Sequence, residues 1–321
     1  MAVMPRNEQP VKTSGNAPLP WRPANDVFGQ TYSLLRWSMP VLFLWLVVAI
    51  AFAWGASGVE SPMTSISAYY YTSAQTVFVG VIISLGVLLI VIQGRTPWED
   101  ALMNTAGALA PFVALLPTPV TESDKCAADY CTSTFLNGVI PDNREIIAFN
   151  FKTAIPIWLI LCVYLIVRTW SLRRAPMRVG YSSSLVSVVM TIMFGVGAIG
   201  IWYSGAQRQL FYDRAHFVSA GVMVALLVAS MVPFANWMGP SPLPVMRRLP
   251  RVLNNAFWLI FWLTIAAVVA CLAIYCLMGE WHHFVLFIEI AALAPFLIYW
   301  VLQGWALRDR GRTGAANERE S

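Results

Sequence analysis

Apolar residues along this chain come in long blocks rather than at a helical or strand period. Residues 41–53, 77–92 and 257–277 are near-continuous apolar runs. A helix needs about 20 mostly apolar residues to cross a hydrocarbon layer of ~30 Å. The pattern therefore predicts an all-α, polytopic transmembrane helix bundle. Spans are expected at about 39–56, 73–92, 100–116, 153–167, 184–203, 215–235, 255–278 and 284–303, eight in all. The third is short and contains Pro111, so hydropathy alone does not secure it.

Charge placement secures it. With eight spans and both termini cytoplasmic, the cytoplasmic side receives sixteen of the 21 Lys and Arg residues, including Arg36, Arg95, Arg168, Arg173, Arg174, Arg247, Arg248 and Arg251. The outer side keeps five: Lys125, Arg144, Lys152, Arg208 and Arg214. Deleting the third span moves every later loop across the membrane and leaves ten of the 21 inside. Basic residues favour cytoplasmic loops, so the eight-span arrangement is preferred.

Composition agrees. The chain of 321 residues is 58% hydrophobic and 12% charged, where a soluble domain carries about 25% charged residues. Residues 1–36 are polar and hold Pro5, Pro10, Pro18, Pro20 and Pro23, which predicts a disordered cytoplasmic arm. No apolar leader precedes the first span, which is then expected to be an uncleaved anchor. The bundle is expected over 37–305 and a cytoplasmic tail over 306–321. Basic residues lie in loops without interleaved aromatics, so nucleic acid is not an expected partner. Arg outnumbers Lys 18 to 3, a bias that suggests a GC-rich bacterial genome and with it a bacterial cytoplasmic membrane.

Smaller features refine the bundle. Trp37, Trp54, Trp98, Trp170, Trp202, Trp237, Trp281 and Trp305 fall near span ends, where the indole is favoured. Gly80 and Ser84, Ala106 and Ala110, and Gly195, Gly197 and Gly200 mark spans two, three and five as candidates for close helix contact in the bundle interior. Cys126 and Cys131 share the long outer loop, about 117–150, and are expected to form a disulfide in an oxidising compartment. Cys162, Cys271 and Cys276 lie within spans and read as small apolar filler.

Few residues could carry chemistry. The run Ser65 to Thr72, with Tyr69 and Tyr70, enters the second span from outside. It reads either as an aromatic interface belt or as a hydroxyl-rich mouth for a lipid head group. Glu99 and Asp100 open the third span and read as helix caps. All three histidines, His216, His282 and His283, fall at outer span ends, and Glu289 lies inside the eighth span. An acid at that depth faces the bundle interior and a partner. His282 and Glu289 are seven apart and share a helical face, with Glu289 about 10 Å deeper. His216, His282 and Glu289 are thus expected to meet in an outer-facing pocket, with Tyr69 or Tyr70 at its rim. No H-x-x-x-H or H-E-x-x-H pair is present, and no metal site is expected. The sequence names no cofactor.

The stretch S-I-S-A-Y-Y-Y-T at 65–72, F-V-G at 78–80, E-D at 99–100 and A-L-L-P-T at 114–118 resembles an uncharacterised family of bacterial multi-pass membrane proteins. His216, Glu289 and Gly304 fit the same pattern. The resemblance implies a multi-pass bundle and no set activity, and it singles out Tyr69, Tyr70, Asp100, His216 and Glu289. The residue types also suit a membrane-embedded hydrolase with Ser, Asp and three His around a metal. Against it, His282 and His283 are adjacent and the expected topology puts Asp100 across the membrane. The favoured expectation is a non-enzymatic binding, sensing or assembly component that engages a membrane lipid or an envelope protein. The alternatives are a metal-dependent hydrolase of a lipid or amide and a proton-coupled transporter using Glu289.

Overall fold

The structure is a computed structural model that describes residues 27–57, 62–118, 143–174, 181–239, 255–279 and 282–320. Among these residues the secondary structure is helical throughout. The α-helices are α1 (Val27–Ser57), α2 (Gln75–Val91), α3 (Pro97–Leu115), α4 (Asn143–Arg174), α5 (Tyr181–Tyr203), α6 (Arg208–Met238), α7 (Ala256–Met278) and α8 (Phe284–Glu320). A 3-10 turn, Ser67–Tyr71, precedes α2. Six of the helices, α1 and α4 to α8, are long and apolar enough to cross a membrane. Their outward faces are apolar too: Phe52, Ile160 and Leu277 are 76%, 68% and 85% exposed. The chain is a multi-pass, all-α membrane protein.

Helix α2 is apolar but only 17 residues long. Helix α3 is held in a different way. It packs against α2, α4, α5 and α6, and every residue from Met103 to Ala114 is buried. Its start is fixed locally. Thr96 caps it, Pro97 occupies its first turn, and the Thr96 hydroxyl and Glu99 carboxylate satisfy each other's backbone N–H groups. Pro111 lies inside α3 without ending it; proline is tolerated within helices that neighbouring helices enclose.

Small residues set how closely α3 can be approached. A Cβ on Gly86 of α2 would lie 2.9 Å from the carbonyl oxygen of Gly107. A Cβ on Gly107 would lie 2.8 Å from Ile90 Cγ1. Ala106 and Ala110 are fully buried, as expected from their spacing. Gly195 of α5 lies under the Trp158 ring of α4, which leaves no room for a side chain. The other small residues do not mark contacts. Gly80, Gly197 and Gly200 have open space where a Cβ would stand, and Ser84 is exposed. Spacing of four says which residues share a face, but not whether that face meets protein or lipid. Gly86 and Gly107, the true points of approach, are single glycines with no paired partner on their own helix.

Two aromatic clusters complete the bundle. Phe151 of α4 packs its ring 4.7 Å from Phe211 of α6 and 5.1 Å from Trp202 at the end of α5. Trp202 is therefore core and not an interface anchor; it is 5% exposed, while Trp98 and Trp305 are 51% and 53% exposed. Phe234 of α6, Phe257 of α7 and Tyr299 of α8 meet edge to face. Asn255 caps α7 and donates to the carbonyls of Ala235 and Gly239, tying α6 to α7. Two differences from the expected domain bounds are plain. Helix α1 begins at Val27, inside the arm expected to be disordered, and α8 continues through most of the expected tail to Glu320.

The α2–α3 approach yields a test. Gly107→Val is expected to lower stability by about 1–3 kcal/mol, the usual cost of overpacking. Gly197→Ala should change it by no more than a few tenths of that. Thermal unfolding in detergent, followed by intrinsic fluorescence, reads both.

Candidate functional site

Glu289 lies in the second turn of α8, half-buried inside a span. Its Oε2 accepts the backbone N–H of Ile66 at 2.6 Å, and its Oε1 accepts the Ser67 hydroxyl at 3.0 Å. Both donors stand at the start of the 3-10 turn, where backbone N–H groups have no partner of their own. The Leu286 N–H, one turn earlier on α8, donates to the Thr64 carbonyl at 2.9 Å. A carboxylate on one element and a backbone amide and a hydroxyl on another thus bind α8 to the segment before α2.

That segment is a buried plug. Tyr69 and Tyr70 are 1% and 6% exposed, so the Tyr run forms neither an exposed belt nor an open mouth. The Met63 N–H donates to the Tyr69 hydroxyl. The Asn150 side-chain amide of α4 donates to the Tyr70 hydroxyl at 3.2 Å and to the Leu115 carbonyl at 2.6 Å. The Tyr71 hydroxyl donates to the Thr118 carbonyl at 2.7 Å. Each tyrosine is thereby held by a hydrogen bond; Tyr70 reaches the first part of α4 and Tyr71 the segment just after α3.

His216 is buried on α6, with Nδ1 paired to the Leu116 carbonyl at the end of α3. His282 is exposed in the turn before α8. Neither histidine is hydrogen-bonded to Glu289, whose donors are Ile66 and Ser67. The expected histidine partner for Glu289 is replaced by backbone. The helical-face argument that joined His282 to Glu289 assumes a continuous helix, whereas α8 begins at Phe284 and His282 stands in the turn before it. Among the described residues no three of His, Cys, Asp and Glu gather in a way that could hold a metal ion. Cys126 and Cys131 lie outside the described residues. Cys162 is a buried free thiol, Cys271 is half-buried and Cys276 is exposed.

Glu289 and Ser67 line a cavity of about 980 Å³. Its walls come from α1, α2, α3, α6, α7 and α8 and are almost wholly apolar, with Phe43, Leu85, Val224 and Ala292 typical of the lining. Thr264 also faces it, but its hydroxyl is already donated to the Ile260 carbonyl at 2.8 Å. Gly221 lines the cavity with open space where a side chain would stand. His216, His282, Tyr69 and Tyr70 do not line it. The volume lies at the upper end of the ~300–1,000 Å³ usual for small-molecule sites. Apolar walls with a few convergent polar groups fit an amphipathic ligand.

Sequence reasoning missed two polar residues. Glu99 does cap α3, but it is also 1% exposed and accepts the Gln303 side-chain amide of α8. Arg36, read as a cytoplasmic flanking charge, is 5% exposed. The one available signal was Gln303, an amide at the end of an apolar span that needs a partner. Asp100 is paired with Arg168 of α4 at 2.7 Å and accepts the Gly94 N–H at 3.1 Å, so it is a structural clamp on the α2–α3 turn.

No family model matches the chain, and searches of curated proteins and of solved structures return no match.

The Glu289 latch can be tested by substitution. Glu289→Ala strands the Ile66 N–H and is expected to lower stability by about 1–3 kcal/mol. Glu289→Gln keeps one acceptor oxygen and should lose less, and Ser67→Ala should cost about 1 kcal/mol. Thermal unfolding of the purified variants should give that order; an unchanged Glu289→Ala protein would contradict the latch.

Proposed function

We propose that this chain is a non-enzymatic lipid-binding protein of a bacterial cytoplasmic membrane, with eight spans and both termini cytoplasmic. The observation that carries the reading is the cavity of about 980 Å³ between α1, α2, α3, α6, α7 and α8, lined by apolar residues apart from Glu289, Ser67 and Thr264, whose hydroxyl is bonded within its own helix. An acyl chain inside it would exchange lipid contacts for dense protein packing. An ionised carboxylate offers about four acceptor positions. Two of them are engaged by Ile66 and Ser67, which leaves acceptor capacity for a head group that donates hydrogen bonds. Ile66, Ser67 and Glu289 lie together at the outer side of the proposed topology, so the ligand enters head outward.

Support for eight spans comes from the distribution of basic residues and from the presence of an α-helix at each expected place. Helix α3 suits an interior span that other helices shield from lipid, since its polar first turn is capped and paired. The expected family resemblance points to the same kind of protein.

Two experiments test the reading. Native mass spectrometry of the purified protein is expected to show a retained lipid that survives detergent exchange. Gly221→Phe places a ring in the cavity's open space and should abolish retention while leaving the fold intact. A protein free of lipid, or a Gly221→Phe variant that still retains it, argues against binding there. For topology, single cysteines are introduced after replacing the native ones. Ser171→Cys should resist an impermeant thiol reagent in intact cells, and Gln209→Cys should react with it.

A further inference from the structure

The first part of α1, the start of α3 and the middle of α8 bring together a polar cluster that the cavity does not use. Arg36, Glu99, Tyr299 and Gln303 are 5%, 1%, 1% and 0% exposed. Glu99 is well served: Oε1 accepts the Gln303 amide, and Oε2 accepts the N–H groups of Arg95 and Thr96. Arg36 is only partly served. Its Nη1 donates to the Tyr32 hydroxyl at 3.0 Å, and its guanidinium lies over the Trp300 ring, 4.5 Å from the centroid. The Trp300 indole N–H fixes this geometry by donating to the Arg36 carbonyl at 2.9 Å.

Four atoms remain without a partner in the protein: Nε and Nη2 of Arg36, the Tyr299 hydroxyl oxygen and Oε1 of Gln303. They come from three side chains on two helices, all more than nine-tenths buried. Gln303 follows Tyr299 by one turn of α8 and is bonded to Glu99, and Trp300 between them carries the Arg36 guanidinium over its ring. The four side chains thus lie at one level of α8, yet no direct ion pair joins Arg36 to Glu99. Buried polar atoms are seldom left unsatisfied, because doing so costs their full desolvation.

The chemistry of the set selects the occupant. Arg36 offers two donor nitrogens, Gln303 an acceptor, and Tyr299 either role. An anion would suit Arg36 but be repelled by Glu99 and leave the Gln303 oxygen facing negative charge. A cation would suit Glu99 and Gln303 but be repelled by Arg36. Water both donates and accepts, and a buried water makes about three hydrogen bonds to groups of this kind. We propose that Arg36, Tyr299 and Gln303 hold a buried water site that links Arg36, through Gln303, to Glu99 and fastens α8 to α1 and α3. Phe296, one turn before Tyr299 on α8, lines the apolar cavity. The water site thus begins about one helical turn beyond the cavity wall and holds that wall in place.

Hydroxyl-radical labelling of the full chain in lipid nanodiscs, read by mass spectrometry, tests this. Radicals form from water, so a side chain closed to bulk solvent reacts only where water is held beside it. The control is Met231, which is 0% exposed and packed in the apolar core; its thioether is itself readily oxidised. Tyr299 is expected to be labelled several-fold faster than Met231. Equal protection of the two would overturn the proposal. Gln303→Leu removes one wall of the site and should at least halve Tyr299 labelling; undiminished labelling in that variant would also overturn it. Should Gln303→Leu fail to fold, the comparison within the unaltered protein decides alone.

Discussion

The close approach of α2 and α3 is the contact on which the bundle depends. Gly86 and Gly107 let the two backbones meet where a single added methyl would collide. Lipid provides no hydrophobic drive between helices, so association rests on close packing and on hydrogen bonds. Once α2 lies against it, α3 is enclosed by α4, α5 and α6 on its other sides. Enclosure is what permits Glu99, Asp100 and Asn104 at its start, since each is held by protein rather than lipid.

Outside this centre the remaining helices meet α3 less closely. Helix α1 packs on α2 and α8, and α8 packs on α6 and α7. With α2 and α6 drawn in against α3, the space they share with α1, α7 and α8 is the apolar cavity. The cavity is thus a product of unequal packing: tight where residues are small, open where α1, α7 and α8 close around the far side. Gly221 shows the contrast. Gly86 and Gly107 are glycine because backbone fills the place of a side chain, whereas Gly221 has free space there.

Polar groups secure α8 at both ends of that cavity. On one side Glu289 takes the free amide at the start of the 3-10 turn. On the other, Gln303 donates to Glu99 and Trp300 donates to the backbone of α1. Each bond joins elements more than 200 residues apart in sequence. In a medium without water every such group must be satisfied internally, so these few bonds help to fix where α8 lies.

The sequence by itself determined the class of protein and the places of its helices. Apolar runs near the length of a bilayer crossing report directly on burial in lipid, because hydrocarbon thickness is a fixed external ruler. It also determined that Ala106 and Ala110 share a face, and both are buried. What it could not determine was what each face meets. Gly80 and Ser84 had the spacing of a contact but face outward, and Glu289 met the amide of Ile66 rather than a histidine. Glu99 looked like a surface cap and is buried against Gln303. Helical periodicity fixes angles about one axis only. Which sides of eight axes come together is decided by packing between segments far apart in the chain, and only the tertiary structure contains that.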